Sequence, residues 1–323
     1  MRTSVVGNYP KVAEGAYGTK LIGTITRWQK QELNDEQLET VCQEITEAVI
    51  KEQEAIGIDL VTDGQIRWED IVTPIARQLK GVEINGLTRF YNNNVYYRRP
   101  IIKAKPVRTG PILADEFRKA QAVARKPIKA VLPGPTTFVT LSEDRYFKHE
   151  VKFLRHIATI LNAEARSLVE AGAKVIQIDE PSLVYGRKAW PAEALKAIDQ
   201  MIEGVSATTS IRLYFGGVSA EQIKQLLKTN VQAIELDVVE APEQLAALKR
   251  IKCDKILGIG CVDARNTKMD SIKHLHKLFT AAAQVVPSER LYASPNAGLE
   301  FLPHQQAAAK LRNLVEAVAT WRN

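Results

Sequence analysis

The stretch Val175-Ile176-Gln177-Ile178-Asp179-Glu180-Pro181 decides how the rest of the chain is interpreted. An uninterrupted run of apolar and neutral residues is typical of a parallel strand that is buried on both faces. Pro181 ends such a strand, because proline cannot donate a backbone hydrogen bond. Asp179 and Glu180 therefore lie at the carboxyl end of the strand, where α/β barrels carry out their chemistry. The structural alternative is a carboxylate that caps the next helix, but two adjacent acids exceed what a cap needs.

The composition predicts an ordinary globular, cytoplasmic protein. The 323 residues are 45% hydrophobic and 25% charged, which suits one large α/β barrel or two smaller domains. The three cysteines form no CxxC pair, so we expect neither a disulfide framework nor a cysteine-rich zinc module. No apolar run has the length of a signal peptide or a membrane span. The net charge of +7 comes from scattered basic residues, and we expect no nucleic-acid or membrane partner.

Eight candidate strands alternate with helical stretches, of which Asn34–Ile56 is the clearest, with Asp35 as its candidate cap. The strands are Thr3–Val6, Ile58–Thr62, Ile128–Leu132, Lys174–Ile178, Ile211–Phe215, Val231–Leu236, Lys255–Ile259 and Arg290–Ala293. This alternation predicts a (β/α)8 TIM barrel. No linker rich in glycine, proline or serine divides the chain, so we expect a single domain over residues 1–323.

The segment Gly86–Pro100 interrupts the alternation, because it is rich in aromatic residues and asparagines. It predicts a β-hairpin inserted after the second strand, in which Asn92, Asn93 and Asn94 tolerate the geometry of the turn. The hairpin would form a wall of the pocket or pack on a neighbouring loop, and aromatic residues suit both roles.

The strand ends supply the candidate site, since a barrel brings the carboxyl ends of its strands to one rim. The candidate residues are Asn8, Gln65, Asp179, Glu180, Tyr185, Tyr214, Phe215, Glu235 and Asn296. They suit a small ligand with an amine, hydroxyl or amide group, and they contain no Ser-His-Asp set. The five histidines fall in or beside predicted helices, which favours packing or surface roles over metal binding.

Stretches along nearly the whole chain resemble the catalytic barrel of cobalamin-independent methionine synthases, especially the short single-barrel members. The matching stretches are Gly7–Pro10, Leu60–Arg67, Phe90–Pro100, Lys129–Thr137, Val175–Leu183, Ala233–Glu235, Gly258–Asp263 and Ser294–Leu299. The resemblance implies methyl transfer to the thiol of homocysteine from methyltetrahydrofolate, or from methylcobalamin or another corrinoid in short members. In that family a zinc ion, bound by a histidine, two cysteines and a glutamate, keeps the thiol deprotonated.

The chain departs from the family where the zinc is bound. The four ligand positions correspond to Leu213, Phe215, Glu235 and Ala297, so only the glutamate remains. One carboxylate cannot hold a tetrahedral zinc ion, and we therefore expect no metal.

The amino-acid pocket departs as well. Asp179 matches the family aspartate that binds the amine of homocysteine, but the glutamate that shares this task corresponds to Gln65, and a serine corresponds to Asn8. Loss of an acid opposite an ammonium group disfavours an α-amino acid as acceptor. On the pterin side, a family tryptophan corresponds to a position near Leu141 and an acid corresponds to Tyr185.

These departures predict a zinc-independent methyltransferase with a small-molecule acceptor other than homocysteine. The candidate catalytic residues are Asp179, Glu180 and Glu235. Glu235 is the candidate base, because apolar walls at Leu213, Tyr214 and Phe215 would raise the pKa of its carboxyl group.

Three alternatives stay open. The first is a methionine synthase with a relocated metal site that uses Glu235 and Cys261. The second is a non-catalytic barrel that binds a pterin, a corrinoid protein or a partner subunit. The third is a decarboxylase of the wider superfamily, although its signature residues are not evident.

Overall fold

The computed structural model describes residues 1–11, 16–91, 93, 95–185, 190 and 193–322, with residues 16 and 17 described by their backbone only. The strands are β1 (Arg2–Thr3), β2 (Leu79–Arg89), β3 (Tyr96–Arg108), β4 (Lys129–Pro133), β5 (Glu143–Asp144), β6 (Val175–Asp179), β7 (Thr208–Leu213), β8 (Ala233–Asp237), β9 (Ile256–Val262) and β10 (Leu291–Pro295). The helices are α1 (Ala16–Gln29), α2 (Asp35–Ile56), α3 (Thr73–Ala76), α4 (Ala114–Val123), α5 (Pro135–Leu141), α6 (Glu150–Glu170), α7 (Ala194–Ile202), α8 (Ala220–Leu227), α9 (Glu243–Arg250), α10 (Ile272–Ala283) and α11 (His304–Thr320).

Helix α2 shows how closely local sequence rules are followed. Its N-cap is Asn34, one residue before the predicted Asp35, and Asn34 forms a reciprocal capping box with Gln37. The helix ends at Gly57, whose φ of 106° lies in the left-handed region that glycine adopts without strain. Its buried face carries Cys42, Ile45, Thr46, Val49, Ile50 and Gln53.

Seven strands form one sheet in the order β1-β10-β9-β8-β7-β6-β4, and the β1–β10, β10–β9 and β6–β7 pairs are parallel. The α/β class with a parallel sheet is therefore confirmed. A continuous ladder of eight strands is not formed by the described residues. The segment predicted as the second strand makes only isolated bridges, from Leu60 to Ser4 and from Val61 to Ile128.

A side chain explains why this second strand stops so early. The amide of Gln53, on the buried face of α2, donates to the Thr62 carbonyl at 2.9 Å and accepts from the Thr62 N–H at 3.0 Å. Both backbone groups of Thr62 are thereby bound by a helix side chain, so they cannot extend the ladder. A sequence pattern of apolar residues does not reveal such a competitor.

The inserted hairpin is present and is longer than predicted. Strands β2 and β3 pair antiparallel, with register shifts between Lys80 and Val82 and between Asn85 and Leu87, and β3 also pairs with β5. Asn92 and Asn94, which were expected at the turn, lie outside the described residues. Tyr91 just before them adopts a φ of 51°.

The chain divides into two compact units. The first comprises Met1–Arg67, Lys119–Lys129 and Leu236–Asn323, and the second comprises Trp68–Arg118 and Ala130–Glu235. In the second unit, the buried Glu164 of α6 binds the Arg108 guanidinium at 2.8 Å and the Leu113 N–H at 2.7 Å, which anchors the end of the hairpin. The single-domain organisation stays a prediction. None of the described helices is long and apolar enough to cross a membrane.

Candidate active site

Asp179 ends β6 in the second unit, and two neutral side chains, those of Gln177 and Tyr214, are among the donors to its carboxylate. The Gln177 amide donates to Oδ1 at 2.5 Å, and the Tyr214 hydroxyl donates to Oδ2 at 3.2 Å. Asp179 is only 4% exposed. These two hydrogen bonds fix the orientation of the carboxylate at the end of β6. The structure thus brings together two of the residues that the sequence singled out, Asp179 and Tyr214.

Glu180 is fully buried and caps a helix. Its carboxyl oxygens accept from the Thr136 N–H at 2.8 Å, the Thr137 N–H at 2.7 Å and the Thr137 hydroxyl at 2.7 Å, all in the first turn of α5. A Cβ placed on Gly134 would lie 2.1 Å from the Glu180 side chain, so glycine makes room for it. Burial raises the pKa of Glu180 to about 7. The geometry favours the capping role over the catalytic one, because the carboxyl group has no exposed face.

Glu235 is engaged by a residue that the sequence analysis missed. The Nη1 of Arg212 lies 2.5 Å from Oε2 of Glu235, and their side chains are 1% and 8% exposed. Arg212 stands beside Asp179 in the register of β6 and β7. The signal was present in the sequence, since an arginine inside a strand of otherwise small and apolar residues needs a buried partner. A guanidinium this close stabilises the charged carboxylate, which argues against Glu235 as a strong base.

Five aromatic side chains of the second unit pack against one another, and Tyr214 is one of them. We call Phe90, Tyr91, Tyr185, Tyr214 and Phe215 the aromatic cluster. The Phe215 ring lies 5.7 Å from the Tyr91 ring and 4.7 Å from the Tyr214 ring, and Tyr91 lies 4.9 Å from Tyr185. The Tyr91 hydroxyl is 2.6 Å from the Ser182 hydroxyl, and burial raises the pKa of Tyr91. The aromatic content of the hairpin had signalled such packing, but Phe90 and Tyr91 were not predicted as site residues.

The residues that the resemblance predicts at the zinc positions do not fit a zinc ion. Leu213 and Phe215 offer no ligand atom, and neither does Ala297. Glu235 is bound to Arg212. Within the described part of the chain, no group of three or more histidine, cysteine, aspartate or glutamate side chains is placed to hold a metal.

Cys261, which a relocated metal site would need, is fully buried in the first unit. Its sulfur lies 3.6 Å from the Ser294 carbonyl. A thiol in this setting is a packing residue, because metal ligation requires a thiolate with access to the ion.

The other predicted site residues belong to the first unit. Asn296 is fully buried, donates to both carboxylate oxygens of Asp237 at 3.2 Å, and accepts from the Ala264 N–H at 2.9 Å. These bonds tie strand ends together, so the amide of Asn296 is structural. Asn8 accepts from the Lys11 ammonium at 3.2 Å. Gln65 is buried at 4% exposure, and its side chain lies against Gly7.

The comparisons with known proteins agree on one family. Residues 1–320 match the family described as "Cobalamin-independent synthase, Catalytic domain". The chain is 29% identical to a methionine synthase of Saccharolobus solfataricus, over 99% of this chain and 94% of that protein. It is 30% identical to a methionine synthase of Saccharolobus islandicus, with the same coverage.

Solved structures show the same fold. A B12-independent methionine synthase from Shewanella sp., in complex with selenomethionine, has a TM-score of 0.82 at 23% identity and covers 98% of this chain and 96% of that chain. A putative vitamin-B12 independent methionine synthase from Listeria monocytogenes has a TM-score of 0.77 at 16% identity, with both chains fully covered.

The chain therefore belongs to the cobalamin-independent synthase catalytic-domain family. It is a methyltransferase, which removes the non-catalytic alternative. The cobalamin-independent character of the family corrects one prediction, because it conflicts with methylcobalamin or another corrinoid as the methyl donor. The comparisons give no support to a corrinoid protein as partner.

Proposed function

We propose that the chain is a zinc-independent methyltransferase that moves a methyl group from methyltetrahydrofolate to a small-molecule acceptor other than homocysteine. Membership of the family supports methyl transfer. The observation that carries the zinc-independent part is the buried Arg212–Glu235 pair. The one carboxylate kept from the family's ligand set is already bound to a fixed cation of the protein itself, and a zinc ion would have to compete with it.

Each of the polar residues of the second unit has a separate role in this proposal. Asp179, oriented by Gln177 and Tyr214, binds an N–H or O–H group of the acceptor. The acceptor's lone pair attacks the methyl carbon while the methyl–nitrogen bond of the donor breaks. The bonding pair stays on that nitrogen, which takes up a proton, the acceptor releases its own proton to solvent, and tetrahydrofolate leaves. Arg212 stands beside Asp179 in the register of β6 and β7, where its guanidinium is paired with Glu235. Glu235 orients Arg212.

The aromatic cluster is the proposed contact for the flat pterin ring of the donor. Stacking and edge contacts with aromatic side chains recognise flat rings without requiring charge. Tyr185 is the most exposed member of the aromatic cluster, at 36%, so a ligand can reach it.

The test is methyl transfer from methyltetrahydrofolate to a panel of acceptors, before and after exhaustive chelation, together with elemental mass spectrometry of untagged protein. We expect turnover that chelation leaves unchanged and zinc far below one ion per chain. Stoichiometric zinc, with turnover that chelation abolishes, would overturn the proposal.

Homocysteine belongs in the panel, because relatives at 29–30% identity are named methionine synthases. This second candidate function is homocysteine methylation with a relocated metal site. Robust, zinc-dependent methylation of homocysteine would establish it in place of the first. Glu235→Gln separates the remaining roles: full turnover in that variant excludes Glu235 as the base.

A further inference from the structure

Nearly all of the net charge of the protein lies in the hairpin of β2 and β3, residues 79–108, which we call the basic hairpin. It contains seven lysines and arginines and one acid, Glu83, out of 44 basic and 37 acidic side chains in the whole chain. The remaining residues therefore hold 37 basic and 36 acidic side chains, which is close to neutrality. Basic residues that look scattered along the sequence are thus concentrated on one element of the second unit.

Part of this positive charge has no acid to offset it. Lys80, Arg98 and Lys105 are exposed, and they form no ion pair with any described residue. By contrast, Lys103 is bound to Glu83 at 2.7 Å. Charge of one sign on a small element raises the local potential, which attracts acidic groups and repels basic ones.

Close to its turn, the basic hairpin places apolar and cationic side chains on one exposed face. Leu87 lies opposite Arg98 and Arg89 lies opposite Tyr96 in the register of β2 and β3, and opposite residues of a strand pair share a face. Leu87 is 66% exposed and Tyr96 is 57% exposed, whereas Tyr97 on the other face is buried. We call Leu87, Arg89, Tyr96 and Arg98 the tip face. Tyrosine and arginine are enriched where proteins bind one another, so this composition suits a protein partner.

Strand β2 also lies at the edge of its sheet. The strand order is β2-β3-β5, so within the described part of the chain no strand pairs with the outer edge of β2. An unpaired edge presents N–H and C=O groups to which an extended segment of another protein can add as a further strand. Nucleic acids and lipids have no backbone that pairs in this way. A second copy of this chain is disfavoured, because two hairpins with seven cations and one acid each would repel one another.

We propose that the basic hairpin is a docking surface for an extended acidic segment of a partner protein. The segment adds beside β2 as a strand, its carboxylates pair with Arg89 and Arg98, and its apolar side chains cover Leu87 and Tyr96. This docking does not depend on the proposed methyl transfer, because no residue of the tip face takes part in that reaction.

Fluorescence anisotropy with the full chain tests this, with a labelled peptide of alternating glutamate and valine as the probe. We expect binding that weakens at least about tenfold as the ionic strength rises from about 0.1 M to about 1 M, because the Debye length falls from about 10 Å to about 3 Å. Arg98→Glu should weaken binding at least about tenfold, and Tyr96→Ser should weaken it severalfold. Lys174→Glu makes a like change of charge at an exposed position of the second unit outside the hairpin, and it should leave the affinity unchanged.

A peptide of the same sequence with alternate backbone nitrogens methylated tests the strand addition. It keeps the carboxylates but lacks the N–H donors of one edge, so it should bind at least about tenfold more weakly. The proposal is overturned if the unmethylated peptide does not bind the folded wild type, if Lys174→Glu weakens binding as much as Arg98→Glu, or if methylation has no effect. Tighter binding of a labelled oligothymidylate or of phosphatidylserine vesicles than of the peptide would also overturn it, in favour of a nucleic acid or a membrane. Circular dichroism checks that each variant is folded.

Discussion

Replacing Arg212 with methionine should destabilise the protein strongly. The variant removes a side chain that is 1% exposed and leaves Glu235, at 8% exposure, as a buried carboxylate without its cation. Breaking one partner out of a buried ion pair typically costs about 3–5 kcal/mol, because the remaining charge is neither solvated nor paired. Urea unfolding followed by circular dichroism measures this free energy directly.

Two further variants make the experiment decisive. The double variant Arg212→Met/Glu235→Leu should recover most of the loss, since replacing both charges by apolar groups is often neutral. Arg77→Met removes one partner of the exposed Arg77–Glu69 pair and should cost less than about 1 kcal/mol. If Arg212→Met costs no more than this surface control, the claim that Glu235 depends on Arg212 for compensation of its charge is refuted. The same holds if the double variant is no more stable than Arg212→Met alone.

Three smaller predictions concern the second unit. The pKa of Glu180 is raised from 4.5 to about 7, so between these pH values the folded state keeps a proton that the unfolded state loses. The contribution of this proton to stability is therefore complete below pH 4.5 and declines as the pH rises to 7. Unfolding free energies should fall by about 3 kcal/mol across this range, and Glu180→Gln should show a flatter profile. Gly134→Ala should cost about 1–3 kcal/mol in urea unfolding, because its Cβ would overlap Glu180; an unchanged midpoint would contradict the packing. Tyr91→Phe should lose about 1 kcal/mol through the broken contact with Ser182, and a thermal midpoint equal to wild type would count against that bond.

Much of the fold could be predicted, because it follows from local patterns. Alternating apolar strands and amphipathic helices give the α/β class, and the aromatic segment gives the hairpin. The second strand could not be predicted correctly, since the amide of Gln53 competes for the backbone of Thr62 from a different element. The strand pattern carries no information about a partner nine residues earlier in the chain.

The candidate site was predicted in part for a similar reason. Asp179 and Tyr214 stand at strand ends, and the structure joins them by a hydrogen bond. Arg212 could not be placed in the site from its own strand, because its partner Glu235 lies on β8, 23 residues later in the chain. The capping of α5 by Glu180 depends on the distance between two strand ends in space, which sequence spacing does not supply.

The Arg212–Glu235 pair also constrains the evolutionary paths open to this chain. An ancestor with a metal-bound glutamate would lose stability if the metal ligands disappeared before the arginine arrived, and a descendant would lose it if the arginine left before new ligands appeared. A loss of about 3–5 kcal/mol is a large share of the total stability of a typical domain, so either intermediate falls near the threshold for folding. The order of substitutions is therefore restricted, and the pair acts as an epistatic barrier to any single-step return to metal-dependent chemistry.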